Sequence, residues 1–211
     1  MLGKHFTVST LTGTKPTRHY TICNAMRPEV YAALLRELNN EETSPHHNQG
    51  YLDNLLSPVD TNTMMFVIKN YNQPTGLSEK FYKDDEIQFE VKGPMGKSLN
   101  VQPAGLHVAF AGGTGILPFI DLVAHVAFVN TGYHQLLGSK EETYLSNDFK
   151  LRLYVSNQTR QSAIGIELLE ALDRYCKRHA LTNFELVMRV SNEGNPRRWD
   201  ASYIEEQFAA M

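Results

Sequence analysis

The sequence predicts two structural halves in tandem, an antiparallel β-barrel followed by a parallel α/β sheet. Three observations carry this reading. Up to about residue 104, short runs of alternating apolar and polar residues are punctuated by Gly, Pro and Asn, the period-two pattern of half-buried strands. After residue 104, apolar runs alternate with helical spacing, an order that predicts parallel strands joined by right-handed crossovers. Between the first such run and the helix after it stands Gly112-Gly113-Thr114-Gly115, a glycine turn where a strand hands over to a helix.

Taken in order, residues 5–10 (HFTVST) and 18–24 (RHYTICN) alternate and are rich in Thr, Tyr, Ile and Val, so they read as an antiparallel pair turned by 11–16. From Pro28 to Thr63 the character changes. Pro28 suits a helix start, and Val30, Tyr31, Leu34, Leu35 and Leu38 recur at helical spacing. A polar stretch, 39–50, and a second apolar patch, 51–57, complete what reads as a helical insertion with a loop. His46-His47 has no third ligand spaced to join it, so it reads as a solvated loop pair. Residues 64–71 (MMFVIKNY) look like a strand, 74–80 like a turn or short helix, 86–92 (EIQFEVK) like a strand, and Gly93-Pro94-Met95-Gly96 like a tight turn. Closing these strands into a barrel removes exposed edges.

In the second half the expected pairs are strand 106–111 with helix 116–130, strand 151–156 with helix 164–178, and strand 184–190 with helix 201–210. Pro118 fits the first helical turn. Residues 131–150 read as a polar surface loop. Ile164, Leu168, Leu172 and Tyr175 form one apolar stripe, taken as core. The boundary between the halves falls near 101–105, giving domains of about 1–104 and 105–211.

Composition narrows the function classes. The 211 residues are 42% hydrophobic and 20% charged with a net charge of −3, and Lys and Arg are scattered, so nothing asks for nucleic acid. The apolar run 106–129 is cut by glycines, Pro118, Asp121 and His125, which argues against a membrane span. No secretory leader is visible, and Cys23 and Cys176 are too far apart in sequence to form a redox or metal pair motif. A cytoplasmic location is therefore expected. No metal site is expected.

The glycine turn carries the first chemistry. Glycines allow close approach of a ligand, and free N–H groups at a helix start attract phosphate. Such turns also serve packing alone, and this one is not a G-x-G-x-x-G fingerprint, because Pro118 stands three residues after Gly115. By itself the turn fits either reading.

Five separated segments add a resemblance. Arg18-His19-Tyr20-Thr21 resembles the Arg-x-Tyr-Thr/Ser motif of the ferredoxin–NADP reductase superfamily, most closely its cytochrome b5 reductase and nitrate reductase branch. Val67-Ile68-Lys69, Gly76-Leu77-Ser78, Lys92 to Gly96, and Gly112 to Pro118 resemble that branch's later motifs in the same order. The resemblance implies an antiparallel FAD-binding β-barrel followed by a Rossmann-like parallel-sheet NAD(P)-binding domain. It implies a flavin-dependent oxidoreductase that passes a hydride from NAD(P)H to FAD and electrons to a haem or iron–sulfur partner.

The resemblance also implies roles. Arg18 would bind the flavin pyrophosphate, Tyr20 would pack on the isoalloxazine, and Thr21 would bond its polar edge. Val67 and Lys69 would lie beside the flavin or nicotinamide, Gly76, Leu77 and Ser78 at the flavin phosphates, and the Gly93 to Gly96 turn would close the barrel beside them. Gly113, Thr114, Gly115 and Pro118 would line the nicotinamide and pyrophosphate path, with Asn157, Thr159 and Arg160 toward the adenosine end. Hydride transfer needs positioning and exclusion of water, so no catalytic acid or base is expected. For the nucleotide the signals conflict: Ser191-Asn192-Glu193 stands against Arg160, Arg197 and Arg198, and the balance tips slightly to NADPH.

The chain departs from the resemblance at both ends. Relatives carry about one more strand pair before Leu2-Gly3-Lys4-His5, and a further strand with a Cys-Gly-Pro turn after 201–210, so a fragment of a longer reductase is expected, one that the resemblance allows to associate with a membrane. Two other readings stand beside the reductase. A non-catalytic structural or regulatory relative predicts Arg18 turned away from the cavity and a cleft filled by side chains of the 28–63 insertion. A phosphate-binding protein of another family would share only the glycine turn.

Overall fold

The computed structural model describes residues 3–11, 17–40, 64–71, 76–83, 87–132, 145–194 and 199–209. The His46-His47 pair, the 51–57 patch, Arg197 and Arg198 lie outside these, as do parts of the 11–16, 74–80 and 131–150 segments.

The first sheet is antiparallel. Strand β1 (His5–Thr10) lies between β2 (Thr17–Thr21) and β3 (Phe89–Met95), in the order β2-β1-β3. Its register pairs Phe6 with Tyr20 and Val8 with Arg18. Val8 and Phe6 are buried, while Arg18 is exposed. Residues 64–71, expected as a strand, form only a single bridge, Phe66 to Ile22, with the Cys23 N–H donating to the Met65 carbonyl at 3.0 Å. High β-propensity here meets only one short partner, and propensity yields to available pairing. The expected tight turn at Gly93-Pro94-Met95-Gly96 is corrected as well. Gly93 to Met95 continue β3, and Met95 pairs with His5. Helix α2 (Leu77–Lys83) follows the bridge segment, tied to it by the Tyr82 hydroxyl donating to the Ile68 carbonyl at 2.7 Å.

The second sheet is parallel, with β4 (Gly105–Gly112), β5 (Phe149–Asn157) and β6 (Phe184–Val190) in that spatial order. A 3-10 turn (Gly113–Ile116) leads from β4 into helix α3 (Leu117–Asn130), with Pro118 in its first turn as expected. Helix α4 (Ile166–Arg178) joins β5 to β6, and α5 (Ala201–Ala209) follows β6. Leu151, Leu153 and Val155 of β5 point to one side and meet Ile116, Ile120, Val123 and Ala127 on the α3 side and Leu168, Leu169 and Leu172 of α4 in one apolar cluster. On the opposite face the Tyr154 ring stacks on Phe110 at 4.4 Å beneath Trp199 and Tyr203.

The run Gly113–Asn130 is long and apolar enough to cross a membrane by length and composition alone. Here it is the core helix, with Ile116, Ile120, Val123, Val126 and Ala127 at 0% exposure.

Helix α1 (Pro28–Asn39) is the described part of the insertion. Its Val30, Leu34 and Leu38 recur at helical spacing and are buried, as the pattern required. They pack into the cluster of α3 and α4, so the helix follows β2 in sequence but belongs to the parallel layer in space. Arg178 of α4 donates to the Leu38 carbonyl at 2.8 Å, satisfying a C-terminal helix acceptor.

Candidate functional site

A cavity of about 370 Å³ opens where the two sheets meet, within the range of small-molecule sites. Four stretches, drawn from three separate regions of the sequence, build its walls. Strand β2 contributes Arg18, His19, Tyr20 and Thr21; the bridge segment contributes Val67, Lys69 and Tyr71. The start of α2 supplies Gly76, Leu77 and Ser78, and the turn after β4 supplies Thr114, Gly115, Leu117 and Pro118.

Local structure explains each wall. The bridge at Ile22 and Phe66 sets Val67 beside the end of β2, and Tyr20 packs edge-on against Phe81 of α2 at 5.8 Å. Burial raises the Tyr20 pKa, with the Arg18 charge opposing. The Arg18 Nη1 donates to the Thr17 carbonyl at 3.0 Å, and the exposed side chain stays on the cavity wall. Lys69 lies over the Tyr71 ring, its Nζ 5.6 Å from the centroid.

The glycine turn decides between packing and ligand access. Gly113 has φ +53°, a conformation that favours glycine. Gly115 does not, and among the described residues no atom beyond its own neighbours in the chain lies within 4 Å of where its Cβ would be. The missing side chain at Gly115 serves open cavity, not a neighbouring residue. Together with a cation, the half-buried Tyr20 ring and hydroxyls on the other walls, this cradle suits a planar, anionic cofactor such as a flavin nucleotide.

Of the residues singled out from sequence, Arg18, Tyr20, Thr21, Val67, Lys69, Gly76, Leu77, Ser78, Thr114, Gly115 and Pro118 come together on this cavity. Gly113, which was also singled out, and the Gly93 to Gly96 stretch do not line it. Sequence reasoning missed Tyr71, Leu117 and His19. Tyr71 continues the alternation of Val67 and Lys69 and could have been found from it. Leu117 sits between two selected residues. His19 alternates away from Arg18 and Tyr20, and bonds Thr7 Oγ1 through Nδ1 at 3.3 Å, so no pattern pointed to it.

Asn157, Thr159 and Arg160 stand apart from the cavity at the C-terminal end of β5, where open parallel sheets hold ligands. Asn157 is 5% exposed, and its Nδ2 is buried with no partner among the described residues. The Thr159 hydroxyl accepts from the Ser162 N–H at 3.2 Å. Arg160 is held by two carboxylates, Nη1 to Glu170 at 2.5 Å and Nε to Glu193 at 3.2 Å. Among the described residues no group of three or more His, Cys, Asp or Glu side chains converges.

An antiparallel sheet and a parallel sheet with its helices border one polar cleft. Comparison makes this specific at the level of fold. No family model matches the chain, and no curated protein sequence does either. Solved structures do match. The CS-b5R domains of human Ncb5or in the NAD+ form superpose with TM-score 0.56 at 18% identity, over 100% of this chain and 50% of that one. The cytochrome b5 reductase domain of Ulva prolifera nitrate reductase gives 0.53 at 16%, over 97% and 68%. Ferredoxin-NADP+ reductase from Plasmodium falciparum with 2′P-AMP gives 0.56 at 12%, over 99% and 67%. The chain has the fold of the cytochrome b5 reductase domains and ferredoxin–NADP+ reductases, and spans half to two-thirds of their length.

Proposed function

We propose that the chain is the NAD(P)H-dependent flavin reductase unit of a cytochrome b5 reductase-type protein, with FAD in the cavity between the sheets and electrons passed to a haem or iron–sulfur partner. Bound FAD would accept a hydride from the nicotinamide and release electrons singly, chemistry that no side chain supplies. The chain's own residues bind, orient and exclude water. Arg18 offers a fork of donors to pyrophosphate oxygens. Tyr20 offers an aromatic face, and Thr21 and Ser78 offer hydroxyls. Gly76 and Leu77 offer backbone N–H groups, and Lys69 offers a cation. Thr114, Gly115 and Pro118 form the wall on the nucleotide side, while Val67 and Leu117 keep it dry. Asn157, Thr159 and Arg160 would meet the adenosine end of the nucleotide.

One observation carries this reading: four segments, from both sheets, converge on a single cavity whose glycine wall has no packing reason to be glycine. The alternative of a non-catalytic relative required Arg18 turned away and insertion side chains in the cleft. Arg18 lies on the wall, and no residue of 28–40 lines the cavity. Both cysteines are free and buried, in keeping with a proposed location in the reducing cytoplasm or at the cytoplasmic face of a membrane.

The test is spectroscopic. Purified protein should take up FAD, show flavin absorbance, and bleach when NADH or NADPH is added without oxygen. A folded, colourless preparation that fails to take up added FAD overturns the proposal.

A further inference from the structure

We propose that His5, His19 and Met95, on the face of the first sheet that carries Thr7, form a binding site for a soft, low-charge transition-metal ion, copper(I). The proposal is independent of the flavin reading.

The three side chains come from three neighbouring strands, which is why sequence spacing does not reveal them. Alternation along β1 sets His5 and Thr7 on one face, and the ladders set Met95 opposite His5 and His19 opposite Thr7. The imidazole rings of His5 and His19 stand edge to face with centroids 4.8 Å apart. Two imidazoles that share one ion at about 2 Å, in a tetrahedral arrangement, have centroids about 5 Å apart. The strands therefore already set the spacing that such a pair requires. Met95 is held beside them by the Thr7 hydroxyl, which donates to Sδ at 3.4 Å while its oxygen meets His19 Nδ1 at 3.3 Å.

That one hydroxyl orients two ligands. Because its proton goes to sulfur, its oxygen accepts from His19, which assigns the proton of the neutral ring to Nδ1 and leaves the Nε2 lone pair for a metal. A histidine held through its other nitrogen in this way has the support that ligating histidines generally carry. His5 is seated by Gly96, where φ is +76° and a Cβ would stand 2.6 Å from His5 Cε1 and 2.9 Å from Nδ1, with Nε2 farther off at 3.7 Å. His19 is exposed, which gives an ion a way in. Lys92, across from Thr7, is already paired with Glu90 at 3.2 Å, and among the described residues no third His, Cys, Asp or Glu joins the two histidines. Two neutral imidazoles and a neutral thioether suit a soft monovalent ion, and they offer a divalent ion such as zinc no compensating charge.

Anaerobic titration of the full chain with copper(I), in competition with a chromophoric copper(I) chelator, reads the affinity, and X-ray absorption of the loaded chain reads the ligands. One equivalent is expected to bind, with nitrogen and one sulfur around the ion. Met95→Leu, a volume-conserving change, should remove the sulfur from that shell. Thr7→Val, which touches no metal itself, should weaken binding by about 10- to 100-fold. Changing the other histidine pair of the sequence, His46→Gln with His47→Gln, should leave both readouts as they are. Failure to compete with the chelator, a shell without sulfur, or binding that survives Met95→Leu and is lost with the His46 and His47 changes overturns the proposal.

Discussion

The Asp121 carboxylate, near the start of α3, accepts the backbone N–H groups of Asn24 and Ala25 at 3.3 and 2.9 Å. Those two residues stand three and four positions after the end of β2, and Leu117 and Pro118, one turn before Asp121, stand on the opposite wall of the cavity. The Cys23 thiol adds a contact to the Leu117 carbonyl at 3.4 Å. Asp121 thus pins the segment that follows β2, and with it the β2 wall, to the glycine-turn wall. Asp121→Ala leaves two backbone donors without this partner, one of them on buried Ala25, and should lower stability by about 1–3 kcal/mol. Asp121→Asn retains one acceptor and should lose less. Urea denaturation of the three proteins measures the series; an unchanged midpoint for Asp121→Ala contradicts the pinning.

The same residue makes stability depend on pH. Burial raises the Asp121 pKa above its ordinary 3.8, and the two N–H bonds and nearby positive charge only partly offset this. The folded value therefore exceeds the unfolded one, so the fold binds the proton more tightly than the open chain does. The resulting stabilisation is complete below the unfolded pKa and is lost as pH rises through the folded one. Unfolding free energies of the wild type and Asp121→Asn, compared from about pH 3.5 upward, should show the wild type losing ground as pH rises and then levelling off. A difference that grows with pH would reverse the sign and refute this.

Much of this architecture was legible from sequence because it is local. The strand at 184–190 and the apolar stripe of Leu168 and Leu172 depend on spacing within one segment, and both stand as expected. Arg18, Tyr20 and Thr21 could be selected because their motif is contiguous. What escaped depends on distant partners. Residues 64–71 have strand composition but find only one bridge. The Gly93-Pro94 pair reads as a turn, yet β3 continues past it to Met95 with a shift of register against β1, pairing Thr7 with Lys92 and His5 with Met95. Asp121 looked like a mere interruption of an apolar run, and its partners lie almost a hundred residues earlier. The docking of α1 on α4 is equally invisible to periodicity, which specifies a helix's buried face and not what covers it.

Gly165 tests that packing. It enters α4 with φ +68°, and a Cβ there would stand 2.7 Å from Ile120 Cδ1 in the core of α3. Gly132 has a comparable φ of +76°, but among the described residues no atom beyond its chain neighbours lies within 4 Å of the same point. Gly132→Ala should therefore cost only the backbone penalty, about 1–2 kcal/mol. Gly165→Ala adds the displacement of a fully buried Ile120 and should cost about 1–3 kcal/mol more. Thermal unfolding of both variants isolates the packing term as the difference, and equal losses would show that Ile120 yields freely.

Arg18 separates binding from folding. Its side chain is exposed, and its one described hydrogen bond goes to the adjacent Thr17 carbonyl. Arg18→Ala should leave the unfolding midpoint within about 0.5 kcal/mol of wild type. Loss of a charge-assisted bond to a pyrophosphate should weaken FAD uptake by about 10- to 100-fold. Fluorescence titration with FAD reads the affinity. Undiminished uptake would remove Arg18 from the site.

Gly115 gives the sharper separation, because stability and binding should move in opposite directions. Its φ lies outside the left-handed region and its missing Cβ faces empty cavity, so alanine fits the folded backbone without strain. Alanine also restricts the unfolded chain, and Gly115→Ala should raise stability by about 0.4–1 kcal/mol. The added methyl projects into the space where a ligand must approach the turn, on the wall shared with Thr114 and Pro118. Nucleotide or flavin uptake should fall by at least about tenfold, a loss comparable to overpacking a site by one methyl group. Denaturation and ligand titration on one preparation check both halves. A variant that is more stable and still binds as wild type would show that the glycine turn is open for some reason other than a ligand.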